Sequence, residues 1–145
     1  MKPGELYWSL IEPIWEKVSI HGTPELFLHQ FGKLTEAQQH LFASHWCQSE
    51  VRNGGFYQFF ENATGILAPE AVAGFPAIGL ETCASLLEEA MRHFDTPYPR
   101  ERETRYLKLQ DEDVFKKLDD RFFDAIANDG YERAADDYVS RTSAA

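Results

Sequence analysis

The chain has few of the residues and patterns that mark secreted or membrane proteins. Its two cysteines, Cys47 and Cys83, lie in separate helical patterns and form no CxxC pair, so we expect reduced thiols in the core. No apolar run approaches the roughly 18 to 20 residues that a transmembrane helix needs. The first residues also lack the apolar block of a signal peptide. We therefore expect a cytoplasmic protein that does not bind membranes.

Catalytic and metal-binding motifs are also missing. We recognise no nucleophile beside a base, no phosphate-binding glycine loop and no metal-ligand cluster. His40, His45 and Cys47 share one helical pattern, but residues two or five apart do not face each other on a helix. We therefore predict a non-enzymatic protein without metal or other cofactor, and we expect His45 to be a core residue.

Basic residues are scarce. The chain has 14 lysines and arginines against 24 aspartates and glutamates, which gives a formal net charge of −10. A charge of this sign repels nucleic acids and anionic membranes and attracts basic partners. Direct binding of nucleic acid is therefore disfavoured, and the expected partner is a basic protein. Acidity that serves solubility alone is the competing interpretation.

Apolar residues recur at helical spacing along the chain, and no strand pattern of comparable strength occurs. The length of 145 residues, with 43% hydrophobic and 14% aromatic residues, suits one domain with a substantial core. We predict an all-α fold, a compact single-domain bundle of about six to eight helices over residues 1–145. Two prolines predict an irregular linker around residues 95–104, and residues 142–145 are expected to form a disordered tail.

Local signals predict several helix boundaries. Thr23, followed by a proline, is typical of a helix start. Thr35 and Gln38 have the spacing of a capping box at the start of another helix. Pro13 predicts either a kink or a new helix in the first segment. Two glycines and a proline predict a broken helix around residues 71–78.

Two adjacent glycines interrupt the helical pattern that begins near Thr35, and they predict a sharp corner between two helices at Asn53–Phe56. Three phenylalanines beyond the corner share one face of the second helix, and two amides share another. We expect the aromatic face to fill the core and the amide face to cap backbone groups. The residues of the corner are Asn53, Gly54, Gly55, Phe56, Gln58, Phe59, Phe60 and Asn62.

Two other functions for the corner stay open. A partner could dock on aromatic surface beside it, which would make the protein a regulatory or structural domain. Alternatively, a small ligand could bind among polar residues near the corner, together with the arginines that follow the linker. Alternation of those arginines with glutamates favours internal salt bridges instead. The residues of this candidate ligand site are Glu50, Arg52, Asn53, Gln58, Asn62, Arg100, Arg102 and Arg105.

Carboxylates concentrate in the last third of the chain. From Asp111 to Asp137 there are ten acidic residues against four basic ones, a local balance of −6. Asp120 and Asp124 repel each other at i and i+4, which suits a surface that displays negative charge to a partner. An ordinary solvated face is the alternative. The predicted partner-binding residues are Asp111, Glu112, Asp113, Asp119, Asp120, Asp124, Asp136 and Asp137.

The segment from Ser49 to Asn62, with Ala68-Pro69-Glu70-Ala71 and Pro97-Tyr98-Pro99-Arg100, resembles an all-helical bacterial family of unknown function. That family has an NGGFxQFF signature and includes an acidic protein described as a DNA mimic. The resemblance extends from about residue 7 to residue 138. It implies a compact helical bundle whose surface carboxylates imitate DNA phosphates and occupy a transcription regulator.

Under this resemblance, three glutamates of the middle of the chain would add to the row of partner-binding carboxylates. They are Glu81, Glu88 and Glu89.

The oligomeric state is a separate question, and aromatic residues of the first segment suggest a homodimer interface. These aromatic residues are Tyr7, Trp8 and Trp15.

Overall fold

The computed structural model describes residues 1–143, and within that range it contains eight α-helices and no strand. This confirms the predicted all-α bundle of six to eight helices. Short 3-10 helices occupy Glu12–Lys17 and Ala63–Leu67. The α-helices are α1 Glu5–Ile11, α2 Pro24–Phe31, α3 Glu36–Glu61, α4 Ala68–Ala77, α5 Glu81–Met91, α6 Arg102–Lys108, α7 Lys116–Ala125 and α8 Gly130–Ser143.

Helix α3 is the centre of the molecule, because α1, α4, α6, α7 and α8 all contact it. Its apolar side chains are buried on both sides of the glycine corner, including Phe42 before the corner and Phe59 after it. Aromatic side chains of other helices complete this core, such as Phe75 of α4, Phe122 of α7 and Tyr131 of α8. The hydrophobic core is therefore built around this helix.

The predicted helix starts are confirmed. The Thr23 hydroxyl accepts a hydrogen bond from the Leu26 amide at 3.2 Å. At the start of α3 the Thr35 hydroxyl accepts from the Gln38 amide at 3.2 Å, and the Gln38 side chain accepts from the Thr35 amide at 3.1 Å. Pro13 lies where α1 gives way to a 3-10 helix, so the first segment forms two short helices instead of one.

The predicted break around residues 71–78 was wrong, because α4 is continuous from Ala68 to Ala77. Pro76 lies in its last turn, where a missing amide donor removes little of the hydrogen-bond ladder. Gly74 faces α3, and a Cβ atom there would collide with the His40 carbonyl oxygen. The glycine therefore allows close helix packing instead of ending the helix.

The second half of the chain differs from expectation at two places. Helix α6 begins at Arg102, inside the predicted irregular linker. Helix α8 continues through Thr142 and Ser143, and the rest of the predicted tail, residues 144 and 145, lies outside the described residues. The turn before α8 has positive φ angles of 59° and 60° at Asn128 and Asp129, residue types that tolerate this conformation.

The two cysteines, Cys47 and Cys83, are buried free thiols, as expected. Burial raises the pKa of the Cys83 thiol to about 12, which keeps it protonated and unreactive at neutral pH. Within residues 1–143, no helix is both long enough and apolar enough to cross a bilayer.

Candidate functional site

The glycine corner bends α3 at Gly54 and Gly55. Gly55 has φ 75° and ψ −179°, a conformation that side chains with a Cβ atom rarely adopt. A Cβ atom at Gly55 would also collide with the carboxylate of Asp119. That carboxylate lies close because it accepts a hydrogen bond from the Phe56 amide at 2.8 Å. Asp119 of α7 therefore caps the helix that starts after the corner.

The aromatic face of the corner lies in the core. Phe56, Phe59 and Phe60 are each 0% exposed. The ring of Phe56 meets that of Phe122 edge to face, with centroids 5.4 Å apart. No surface remains on these three rings for a partner, so docking on aromatic surface beside the corner would need other rings, such as the half-buried Tyr57. The helical spacing of these phenylalanines therefore reflects packing of the helix against the core.

The polar face of the corner is linked across the bend by Glu50. One oxygen of its carboxylate, Oε2, accepts hydrogen bonds from the amide groups of Gln58 at 2.9 Å and Asn62 at 2.8 Å. Asn53 in turn donates to the Gln58 side-chain oxygen at 3.1 Å. We expected these amides to cap backbone groups, but they bind a carboxylate of the same helix instead. The network joins the two halves of α3.

A cavity of about 510 Å³ opens beside this network. Its walls come from α1, from both sides of the corner in α3, and from α8. It includes four of the residues predicted for a ligand site, whereas Asn62 does not line it; the four are Glu50, Arg52, Asn53 and Gln58. The lining residues are Tyr7, His45, Gln48, Ser49, Glu50, Arg52, Asn53, Gln58 and Glu132.

An ion pair closes one side of this cavity. The Arg52 guanidinium donates to both carboxylate oxygens of Glu132, at 2.6 and 3.0 Å. This hydrogen-bonded pairing lowers the pKa of Glu132. The pair links α3 to α8, whose paired residues lie 80 positions apart in sequence. Its two parallel hydrogen bonds hold the side chains more rigidly than a single hydrogen bond would.

His45 lies between this cavity and a cluster of tryptophans. Its ring centroid is 5.4 Å from that of Trp8 and 5.5 Å from that of Trp15, so the half-buried His45 lies at the edge of the core instead of inside it. Its Nδ1 atom forms a 2.8 Å hydrogen bond with the Tyr7 hydroxyl. Burial lowers the pKa of His45 to about 4 and raises that of Tyr7. Both side chains are therefore neutral at pH 7.

Gln48 is the one buried side chain in residues 1–143 with an unpaired polar atom. The residue is 3% exposed. Its Nε2 atom donates to the His45 carbonyl oxygen at 3.1 Å, whereas its Oε1 atom has no hydrogen-bond partner. Sequence reasoning overlooked Gln48. The available signal was a polar residue on the buried stripe of α3, at helical spacing from Leu41 and Ser44.

The arginines after the linker serve the fold. Arg100 forms a bidentate pair with Glu70, both bonds 2.8 Å long. Arg105 is 0% exposed and donates to carbonyl oxygens at the end of α3, those of Phe60 and Asn62, each at 2.9 Å. Their groups are already engaged, which argues against their predicted use in a ligand site. Of the internal salt bridges that we expected for these arginines, Arg100 forms one, with Glu70, whereas Arg102 and Arg105 donate to carbonyl oxygens.

The eight predicted partner-binding carboxylates occupy two kinds of position. Asp119 caps α3, and Asp136 accepts hydrogen bonds from the Gly4 amide at 2.7 Å and the Tyr7 amide at 3.0 Å. These two are half-buried, and their oxygens satisfy amide donors at helix starts. The other six are exposed: Asp111, Glu112, Asp113, Asp120, Asp124 and Asp137.

Helices α5 and α7 pack side by side, and both have exposed acids. Glu81, Arg121 and Asp124 line one cleft between them, with a volume of about 420 Å³. Within residues 1–143, three ion pairs occur, and none involves an acid of these two helices. We call the exposed carboxylates of these helices the α5–α7 acidic surface, which comprises Glu81, Glu88, Glu89, Asp120 and Asp124.

No group of three or more histidine, cysteine, aspartate or glutamate side chains among the described residues is arranged to hold a metal ion.

The chain belongs to the DMP19-like protein family, since the family model matches residues 32–142. That range includes the glycine corner and the acidic last third. The comparisons with curated proteins and with solved structures found no match.

Proposed function

We propose that this protein is an acidic interaction module that binds a basic, DNA-binding protein and competes with nucleic acid for it. The observation that carries the proposal is the α5–α7 acidic surface, whose five carboxylates are exposed and form no ion pair within residues 1–143. Unpaired surface carboxylates keep their full attraction for a basic partner. Membership of the DMP19-like family supports the same function, because the resemblance described above includes a DNA mimic.

Other exposed acids precede α7 in the chain. Asp111, Glu112 and Asp113 are exposed in the segment between α6 and α7, and we include them in the partner-binding face. Asp119 and Asp136 are left out, because their oxygens bind backbone amides. The partner-binding residues that we propose are therefore Asp111, Glu112, Asp113, Asp120, Asp124 and Asp137, with Glu81, Glu88 and Glu89 of α5.

Three basic side chains lie among these acids on α7. Lys116, Lys117 and Arg121 are exposed and lower the density of negative charge below that of a DNA backbone. A row of i and i+4 carboxylates along a helix, about 6 Å apart, still presents several charges to one partner. We therefore expect binding that is weaker and less salt-dependent than the partner's binding to DNA.

The test compares two variants with the same net charge. The first variant removes four charges from the α5–α7 acidic surface by the substitutions Glu88→Gln, Glu89→Gln, Asp120→Asn and Asp124→Asn. In the matched control, four exposed glutamates of the N-terminal segments become glutamine. These control positions are Glu5, Glu12, Glu16 and Glu25. Each immobilised protein captures partners from a cytosolic extract of the native host at low salt, and captured proteins are identified and purified.

The proposal expects a captured protein that binds duplex DNA on its own. Added duplex DNA or about 0.5 M salt should release it from the wild-type chain. The acidic-surface variant should lose the capture, whereas the control should keep it. Equal capture by both variants, or capture that neither DNA nor salt reduces, contradicts the proposal. Unfolding midpoints of the variants confirm that loss of binding is not loss of fold.

A further inference from the structure

Two tyrosines lie where α6 packs against the end of α3. All six tyrosines of the chain belong to the described residues, and Tyr106 of α6 is the only exposed one, at 57%. Tyr57 of α3 is half-buried. Tyrosine is enriched at protein interfaces, because its ring gives a large apolar contact and its hydroxyl stays in contact with water.

The packing of α6 on α3 brings these two rings to one surface. Tyr57 and Glu61 lie four residues apart on α3 and share a face of that helix. Arg102 and Tyr106 have the same spacing on α6, and the Arg102 Nε atom donates to the Glu61 carbonyl oxygen at 2.7 Å. Partial burial and the nearby charges of Glu61 and Glu112 raise the pKa of Tyr57. We call Tyr57, Glu61, Tyr106 and Glu112 the Tyr57–Tyr106 surface.

The two carboxylates of this surface are not neutralised by an ion pair. Neither Glu61 nor Glu112 belongs to the three ion pairs within residues 1–143. Arg102 adjoins the surface, but the hydrogen bond of its Nε atom goes to a backbone carbonyl oxygen. Two carboxylates therefore outnumber one guanidinium, and the surface attracts a further cation.

The two rings are likewise not covered by a cation of the chain. The cation–π contacts within residues 1–143 involve Phe27 and Tyr138. No lysine or arginine of this range therefore lies over the ring of Tyr57 or Tyr106. An aromatic face beside carboxylates is the environment that a guanidinium prefers, since it stacks on the ring and donates to the acid at the same time.

We propose that the Tyr57–Tyr106 surface binds arginine side chains of the basic partner, with the guanidinium over a tyrosine ring and hydrogen-bonded to Glu61 or Glu112. This inference rests on the proposed function, which supplies the basic partner and already includes Glu112. Arginine fits better than lysine, because only its planar group stacks on a ring and pairs bidentately with a carboxylate. The phosphate backbone of DNA offers charge without aromatic rings, so this contact would distinguish the protein from DNA.

Fluorescence anisotropy with two labelled peptides, hexa-arginine and hexa-lysine, tests the proposal at about 50 mM salt. The two peptides carry the same charge, so long-range attraction to the acidic protein is the same for both. The wild-type chain is expected to bind hexa-arginine more tightly. Bidentate pairing with carboxylates also favours arginine, so the contribution of the rings is the change in the ratio of the two Kd values between variants.

Two double variants isolate the rings. Tyr57→Leu with Tyr106→Leu removes both aromatic faces, keeps apolar bulk and should reduce the preference for hexa-arginine about fivefold. Tyr57→Phe with Tyr106→Phe keeps the rings and should keep the preference within about twofold. An unchanged preference in the leucine variant, or an equal loss in both variants, would overturn the proposal. If the leucine variant does not fold, Tyr106→Leu decides alone, with an expected loss of about twofold or more.

Failure of this proposal is distinguishable from failure of the proposed function. If the leucine variant keeps the preference for hexa-arginine while the native host's DNA-binding protein is still captured, the tyrosine contact is refuted and the proposed function stands. If no DNA-binding protein is captured but the preference disappears with the rings, the surface binds arginine and only the identity of the partner is lost. Absence of binding of either peptide to the wild-type chain would refute the surface.

Discussion

The polar groups that contact α3 differ from those that face outward from α5 and α7. Around α3, Asp119 caps the Phe56 amide, Arg105 binds two carbonyl groups at the helix end, and His45 binds a tyrosine hydroxyl. The carboxylates of the α5–α7 acidic surface are exposed and form no ion pair within residues 1–143. Polar groups near α3 therefore support the fold, whereas the carboxylates of the α5–α7 acidic surface are not held by ion pairs within the described residues.

Asp119 and Asp120 make this difference concrete, since they are neighbours in sequence. The first accepts a backbone hydrogen bond at the corner, and the second is exposed one position further along α7. Adjacent residues on a helix point about 100° apart. A run of acidic residues thus contains structural caps as well as surface charges, and substitutions should separate the two groups by their effect on stability.

The largest expected effect comes from Arg105. Arg105→Ala leaves buried carbonyl groups of Phe60 and Asn62 without donors and creates a cavity, so we expect a loss of about 3–5 kcal/mol in the free energy of unfolding. Arg105→Lys keeps the positive charge but lacks the planar guanidinium group, so it should lose less stability than Arg105→Ala. Urea unfolding followed by tryptophan fluorescence measures both. A loss below about 1 kcal/mol for Arg105→Ala would contradict this assignment.

The second-largest expected effect is a dependence of the free energy of unfolding on pH, caused by His45. Its pKa is about 4 in the folded protein, against a usual value of 6.5. Between these values the unfolded chain binds a proton that the folded protein does not, so stability falls as the pH falls from 6.5 to 4, by up to about 3 kcal/mol. Urea unfolding at several pH values measures this loss, and His45→Gln should reduce its slope. A measured His45 pKa near 6.5 by NMR titration would refute the prediction.

A smaller loss is expected for the cap at the corner. Asp119→Ala removes the acceptor of the Phe56 amide and should lower the free energy of unfolding by about 1–2 kcal/mol. Asp119→Asn keeps an acceptor and should lose less. Asp137→Ala, which changes an exposed acid on α8, is the matched control and should stay within about 0.5 kcal/mol. If the substitutions at positions 119 and 137 lower the free energy of unfolding equally, in thermal or urea unfolding, Asp119 does not act as a cap that differs from a surface charge.

The smallest effect is expected on the α5–α7 acidic surface. Asp120→Asn and Asp124→Asn, alone or together, should change the free energy of unfolding by less than about 0.5 kcal/mol. The double change relieves a repulsion at i and i+4, so the sign should be slightly stabilising. Unfolding at low and high salt checks this, because salt should shrink the difference. A clear destabilisation would mean that these carboxylates also support the fold.

Much of the local structure was predictable from sequence. The capping box at Thr35, the helix start at Thr23 and the corner at Asn53–Phe56 depend on residue types within a few positions of each other, and short-range geometry determines them. The continuous helix α4 was not predictable in this way. Gly74 has a packing role there because α3 approaches it, and that neighbour lies more than 30 residues away in the chain.

The sequence by itself determined the helical class, the main helix starts, the bend in α3 and the overall excess of negative charge, because each follows from composition or from residues close together in the chain. Only the tertiary structure decided that Asp119 and Asp136 cap helices while Asp120 and Asp124 face outward. It also decided that Arg105 is buried and that Gln48 retains an unpaired oxygen beside a cavity. These outcomes depend on which atoms of distant segments meet, and hydrogen bonds act only over about 3 Å.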